Sequence, residues 1–182
     1  MMEKINSNGR IEITGKDGEI ALPIGHYVIV HSTNKVRNFD PKISIIGLGS
    51  CIALILFDSL KRVGGMSHVL LSNSKLHKNI EFPHKYADLS VKLLVQELIK
   101  HGAIKKNIKA IIIGGSKIFD IEGNTIGTEN INAIKKKLKE LQIKIIGENT
   151  GGSEGRVVKF NTKEFSVYVS STKESKFKKL RE

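Results

Sequence analysis

Residues 42–71 read KISIIGLGSCIALILFDSLKRVGGMSHVLL, in which short apolar, β-branched runs alternate with turn formers. KISIIGL (42–48), CIALILFD (51–58) and MSHVLL (66–71) are expected as strands on that composition. DSLKRVGG has the polar and glycine character of a tight connection, so the second and third runs are expected to pair as neighbours.

Working outward, HYVIVH (26–31) reads as a further strand, and KAIIIGG (109–115) as a buried strand running into glycines. IKIIGE, RVVKFN and FSVYVS supply three more, the last two joined by a short turn at TKE. From about His84 to His101, Ala87, Val91, Leu94, Val95, Leu98 and Ile99 recur at helical spacing, and Gly102 closes the helix. A second helix is expected over Thr128 to Gln142, with Ile131, Ile134, Leu138 and Leu141 inward. Many strands and two helices without strict alternation predict an α+β fold, a mixed β-sheet sandwich flanked by helices.

At 182 residues and 40% hydrophobic, the chain suits one domain with its own core. Residues 1–23 are expected as a polar leader, 24–171 as the domain and 172–182 as a basic tail. No apolar run reaches the length of a membrane span, and the start lacks the apolar core of a signal peptide, so a cytoplasmic protein without membrane insertion is expected. The net charge of +12 has no focus, and aromatics are only 5%. That composition favours a lysine-rich solvated surface over a nucleic-acid groove, which would need stacking residues among the basic ones.

The chain has one cysteine, which excludes an internal disulfide and leaves Cys51 as packing or as a reagent. It stands in GLGSC (47–51), where a glycine turn between strands can expose a thiol and leave backbone N–H groups near Gly49 and Ser50 free to face an oxyanion. Bulges and close packing use glycines in the same way. A dinucleotide fingerprint fails because Ile52 occupies its third glycine position and a strand follows, and no P-loop pattern occurs. A thiol nucleophile needs a base. Of the six histidines, His26, His31, His77, His84 and His101 are expected in structural or solvent roles, whereas His68 lies on the strand that follows Cys51. Pairing of those strands would return it to the thiol, although spacing does not determine register or face.

GLGSCIALILFD, GGMSHVLLS, HKYADLSVKLLVQEL, IIIGGSKIF, IGTENINAIKKKL and TGGSEGRVVKF, with IGHYVI at 24–29, resemble in order and separation the successive motifs of the chemoreceptor glutamine deamidase family, CheD. The resemblance runs from about Ile24 to Val169. It implies a cysteine-dependent amidohydrolase that converts glutamine side chains of methyl-accepting chemotaxis receptors to glutamate, with Cys51 as nucleophile, His68 as base, and no metal or organic cofactor. It also implies a fold similar to cysteine-dependent toxin deamidases, and the phosphatase CheC as a partner. The family's third member is a threonine six residues before the cysteine, and here that residue is Ile45. The Ile45 backbone carbonyl is the expected substitute for orienting His68, as a main-chain carbonyl is held to do in toxin deamidases. Ser44 is the alternative, its side chain turned to the other face by strand alternation. Gly114, Gly115, Gly151, Gly152 and Arg156 are expected along the substrate groove, with Phe119 either there or in the core. Two other readings compete with the deamidase: a catalytically weak adaptor binding receptors and CheC, and a thiol esterase acting on receptor glutamyl methyl esters.

Overall fold

A computed structural model describes residues 2–5, 9–14, 19–31, 42–118, 126–174 and 176–180. Phe119 lies outside them. Among the described residues twelve strands run in chain order: β1 (Met2–Ile5), β2 (Arg10–Thr14), β3 (Glu19–Ala21), β4 (Tyr27–His31), β5 (Lys42–Leu48), β6 (Ile52–Asp58), β7 (Val63–Val69), β8 (Lys109–Gly114), β9 (Lys144–Thr150), β10 (Arg156–Asn161), β11 (Ser166–Ser171) and β12 (Lys178–Lys179). Helix α1 (Ala87–Lys100) precedes β8, and helix α2 (Ile126–Glu140) precedes β9.

The strands form a seven-stranded sheet, ordered β1-β2-β4-β7-β6-β8-β9, and a five-stranded sheet, ordered β12-β11-β10-β5-β3. Both are mixed. The pairs β2–β4, β8–β9 and β3–β5 are parallel, and the others antiparallel.

Strand β6 shows how its sequence dictates three layers. Ala53, Ile55 and Phe57 face the second sheet, in a core with Val28, Ile43, Ile45, Val158 and Phe160. Ile52, Leu54 and Leu56 face the helices, in a core with Val91, Leu94, Leu98, Ile134 and Leu138. A strand covered on both faces needs apolar residues at both parities, which accounts for the unbroken run of CIALILF.

Strand β7 begins three residues earlier than MSHVLL. Gly64 and Gly65 are paired within it, opposite Val30 and Ile29 on one side and Phe57 and Leu56 on the other. A Cβ on Gly64 would lie 2.6 Å from the Phe165 ring, and one on Gly65 3.0 Å from a Leu94 methyl. These glycines admit neighbouring side chains and make no turn. Helix α1 likewise starts at Ala87, because Pro83–Lys85 form a 3₁₀ turn ahead of an extended Tyr86.

Strands also run through residues expected as leader and tail. Strand β3 pairs with β5 from Glu19↔Lys42 to Ala21↔Ser44, and Ile11, Ile20 and Leu22 are buried in the inter-sheet core. Strand β12 pairs with β11, after which the Leu180 N–H donates to the Val167 carbonyl at 2.8 Å.

Candidate active site

The turn Gly47–Cys51 carries the chain from β5 in one sheet to β6 in the other. Cys51 continues the inter-sheet face of β6, is 9% exposed, and belongs to the same buried cluster as Ala53. Successive carbonyls of the turn are each held. The Ser116 N–H donates to Gly49 at 2.9 Å, Asn130 Nδ2 to Ser50 at 3.0 Å, and the Gly115 N–H to Cys51 at 2.9 Å. In a trans peptide the N–H points opposite to the C=O. Holding these carbonyls from the side of α2 and the segment after β8 therefore turns the N–H groups of Ser50 and Cys51 the other way, as an oxyanion site requires.

Gly114 and Gly115 make this possible. Their φ angles are +112° and +71°, and a Cβ on Gly114 would stand 2.1 Å from the Cys51 carbonyl oxygen. Gly115 is also where α2 docks, since a Cβ on Gly127 would meet the Gly115 carbonyl oxygen at 2.4 Å. Two glycine approaches thus press the start of α2 and the end of β8 onto the Gly47–Cys51 turn.

His68 is placed by strand pairing on the same sheet face as Cys51. It sits directly across from Ala53, so Cys51, two residues earlier, is its diagonal neighbour on the same face. Diagonal pairs lie within reach of long and aromatic side chains. The segment Leu22–His26 wraps the histidine. The Gly25 N–H donates to the His68 carbonyl at 2.8 Å, and the His68 N–H to the His26 carbonyl at 3.1 Å.

The ring nitrogen Nδ1 lies 3.0 Å from the Leu22 carbonyl oxygen. A carbonyl only accepts, so the proton is on Nδ1 and the lone pair on Nε2. The orienting group is thus a main-chain carbonyl, but it belongs to Leu22 and not to Ile45. Ile45 is buried in β5, paired with Val158. Ser44 contributes through its backbone, its carbonyl accepting the Leu22 N–H at 2.8 Å while its hydroxyl faces the Ile20 carbonyl at 3.4 Å. The strand that carries Leu22 into place lies in a segment whose local sequence reads as a leader.

Burial pushes the Cys51 thiol above its ordinary pKa, partly offset by a hydrogen bond from its own backbone N–H. Burial likewise holds His68 below the ordinary imidazole value, against the opposing Leu22 bond and with some help from His26. Both shifts favour a resting pair of neutral thiol and neutral imidazole over an ion pair.

Beside the turn, Gly115, Lys117, Ile118, Thr128, Gly151, Gly152 and Ser153 line an open cleft of about 580 Å³. Ile118, 44% exposed, packs on Gly49, with its Cδ1 2.2 Å from where a Cβ would stand. Arg156 is engaged as a staple. Nε donates to Asn149 at 2.7 Å, Nη2 to the Gly151 carbonyl at 2.8 Å, and Nη1 to the Glu154 carbonyl and to Ser116 Oγ. The guanidinium expected to meet substrate thus stiffens the cleft wall formed by Gly151–Gly155.

The other histidines have structural surroundings. His84 is 2% exposed and stacks on Tyr27 with ring centres 3.9 Å apart. His101 contacts Arg10 at 3.1 Å, and His26 Nδ1 lies 2.9 Å from the Ile24 carbonyl. Local sequence gives no sign of the parts played by Leu22 and Ser116; for Asn130 the one available signal is its spacing four and eight residues ahead of Ile134 and Leu138 on the inner face of α2.

A family profile described as CheD chemotactic sensory transduction matches residues 70–171. A Clostridium novyi (strain NT) protein named probable chemoreceptor glutamine deamidase CheD is 39% identical over 132 residues, covering 70% of this chain and 82% of that protein. A Clostridium botulinum (strain Hall) protein of the same name is 40% identical over 142 residues, covering 76% of this chain and 87% of that protein.

Proposed function

We propose that this chain, which belongs to the CheD family, deamidates glutamine side chains of chemotaxis receptors, with Cys51 as nucleophile and His68 as general base. The observation that carries this reading is the diagonal placement of Cys51 and His68 on one face, with the imidazole held at Nδ1 so that Nε2 is left to take a proton.

In the first half-reaction Nε2 of His68 takes the thiol proton as sulfur attacks the carboxamide carbon, and the carbonyl electron pair moves onto oxygen. The N–H groups of Ser50 and Cys51 receive that oxyanion. The intermediate collapses with cleavage of the C–N bond, and the imidazolium supplies the proton that lets ammonia leave. A thioester remains on Cys51. In the second half-reaction water attacks it while His68 takes a proton from the water. The C–S bond then breaks, and the sulfur is reprotonated as glutamate is released. Every proton passes through Nε2, so this scheme needs only one correctly held tautomer.

Glutamine reaches Cys51 along the cleft beside Ile118, whose apolar side chain suits the substrate methylenes. Lys117 and the net charge of +12 favour an acidic protein surface. The same cleft serves as the docking site for the phosphatase CheC, and the likeness in fold to cysteine-dependent toxin deamidases, with a main-chain carbonyl as orienter, is part of this proposal. No helix among the described residues is long and apolar enough to cross a membrane.

The test is incubation of the purified protein with receptor cytoplasmic fragments, followed by mass spectrometry for glutamine-to-glutamate conversion. Conversion that is lost in Cys51→Ala and in His68→Ala supports the assignment. Conversion that survives either substitution refutes it, and binding of the fragments without conversion would make the chain an adaptor.

A further inference from the structure

We propose that Asn130 is a positioning residue for acyl transfer, aiming the Cys51 N–H at the oxygen of the tetrahedral intermediate by holding the Ser50 carbonyl and the strand of His68 together. This rests on the reading of Cys51 as nucleophile.

The ladder between β6 and β7 ends at Ile52↔Val69. One step further, where Cys51 would face Leu70, the amide of Asn130 takes over. Its Nδ2 donates to the Ser50 carbonyl at 3.0 Å and to the Leu70 carbonyl at 2.8 Å. Both neighbours only accept, so the amide orientation is unambiguous and both its hydrogens are used. The Leu70–Leu71 peptide is held from the other end too, because the Leu71 N–H donates to the Lys85 carbonyl at 3.0 Å. Leu70 is therefore a firm anchor, and Asn130 passes that firmness to Ser50.

The consequence for chemistry follows from peptide geometry. The Ser50 carbonyl and the Cys51 N–H share one planar trans peptide and point in opposite directions. Drawing the oxygen toward Asn130 sends the N–H away from α2. As the tetrahedral intermediate forms, that donor is placed to meet the new oxyanion.

A tie needed only for stability would be a costly choice here. Asn130 is 0% exposed, and its Oδ1 is buried with no hydrogen-bond partner among the described residues. Asparagine is also a poor helix former, and α2 would gain from an apolar residue at this buried position. Unsatisfied buried polar atoms are rare in native proteins and call for a reason. The two donors supply one, since no apolar side chain could orient the Ser50–Cys51 peptide.

The test compares two reagents on Cys51 that differ in whether an oxyanion develops. Iodoacetamide alkylates the sulfur by direct displacement, without one. With p-nitrophenyl acetate the sulfur attacks the ester carbon, an oxyanion forms and collapses, and p-nitrophenolate leaves as the thiol proton passes to His68. For Asn130→Ala and Asn130→Ser, judged folded by circular dichroism, acylation is expected to fall about 10- to 100-fold, below the loss of a whole oxyanion donor. Alkylation should stay within about threefold, since neither the thiol nor its base is touched. Equal changes in both rates, unchanged acylation, or failure of both variants to fold would each overturn the proposal and leave Asn130 as a structural tie. If the unsubstituted protein is not acylated at Cys51, the nucleophile assignment falls as well. Normal acylation that is indifferent to Asn130 sinks only the positioning role.

Discussion

The neutral resting pair at Cys51 and His68 makes a kinetic prediction that separates this site from thiolate–imidazolium enzymes. An ordinary thiol of pKa about 8.5 is only a few per cent thiolate at pH 7, and each further unit of upward shift cuts that fraction about tenfold. Burial moves Cys51 upward and His68 downward, so little thiolate is stored at neutral pH. Alkylation by iodoacetamide, which follows the thiolate, should climb about tenfold per pH unit from pH 6 to pH 8, or about 100-fold over that range. In the proposed mechanism deamidation uses His68 as a base during attack, so kcat/KM should depend on the imidazole. The sign follows from the downward shift. The base is active when neutral, so activity is full at pH 7 and is lost as pH falls through a value below the usual imidazole range. From pH 7 to pH 8 deamidation should change by less than about twofold while alkylation rises about tenfold. His68→Gln should abolish the plateau in deamidation, leaving a residual rate lower by about 10²- to 10⁴-fold. A fast alkylation plateau between pH 6 and pH 8 would reveal a stored ion pair and refute the reasoning.

Stability should respond to acid through His84, whose burial holds its pKa down to about 3, far below the ordinary 6.5. The unfolded chain takes up a proton that the native state refuses, so stability is full above 6.5 and declines toward pH 3, by about 1.4 kcal/mol per pH unit for that one proton. Urea midpoints measured across this window should show a shallower decline for His84→Phe, which keeps an aromatic ring beside Tyr27; an identical slope would exclude His84 as a contributor. Gly114→Ala should abolish deamidation, because its Cβ would stand 2.1 Å from the Cys51 carbonyl at a φ of +112°; wild-type turnover in that variant would show that the turn tolerates displacement. Ser44→Ala should keep most activity, since its hydroxyl makes only a 3.4 Å contact with the Ile20 carbonyl. Ile45→Thr should not raise turnover, because Nδ1 of His68 already has its acceptor, and a several-fold gain in kcat would show otherwise.

The elements legible in the sequence were those with strong periodicity or unbroken apolar runs. Strands β4 to β6 and β8 to β11, with both helices, appear where composition and spacing put them. The elements that were not legible owe their structure to pairing. Strand β3 is three residues long, alternates exposed and buried, and forms because β5 offers it an edge. Strand β12 consists of two exposed lysines, and what fastens the segment is Leu180 packing against the core. Local sequence carries little trace of such strands, since their stabilisation comes from the strand each one pairs with, β5 for β3 and β11 for β12, and not from their own side chains. The glycine pair of β7 shows the converse error. Gly64 and Gly65 look like a turn, and only the neighbouring Phe165 and Leu94 side chains reveal that the missing Cβ atoms make room.

The same division runs through the site. Cys51 and His68 could be proposed from sequence because a side-chain role in the chemistry limits which residue types can serve. The group that orients the imidazole could not be, because a backbone carbonyl exists at every position. What selects Leu22 is a chain of contacts without a side-chain signature: β3 pairs in parallel with β5, Ala21 falls opposite Ser44, the next N–H bonds the Ser44 carbonyl, and the Leu22 carbonyl then lies 3.0 Å from Nδ1. This bears directly on the isoleucine at position 45. With a side-chain acceptor gone from β5, the strand still orients the histidine, one step removed, through the backbone of the partner strand it holds. Activity should then tolerate change in the side chains of Ser44 and Ile45 but not in the pairing of β3 with β5. Removing the N-terminal residues through Ala21 should therefore cost turnover as heavily as replacing His68, while leaving Cys51 and His68 themselves in place. A truncated protein that is folded by circular dichroism and deamidates at the full-length rate would show that the pairing of β3 with β5 is dispensable for orienting His68.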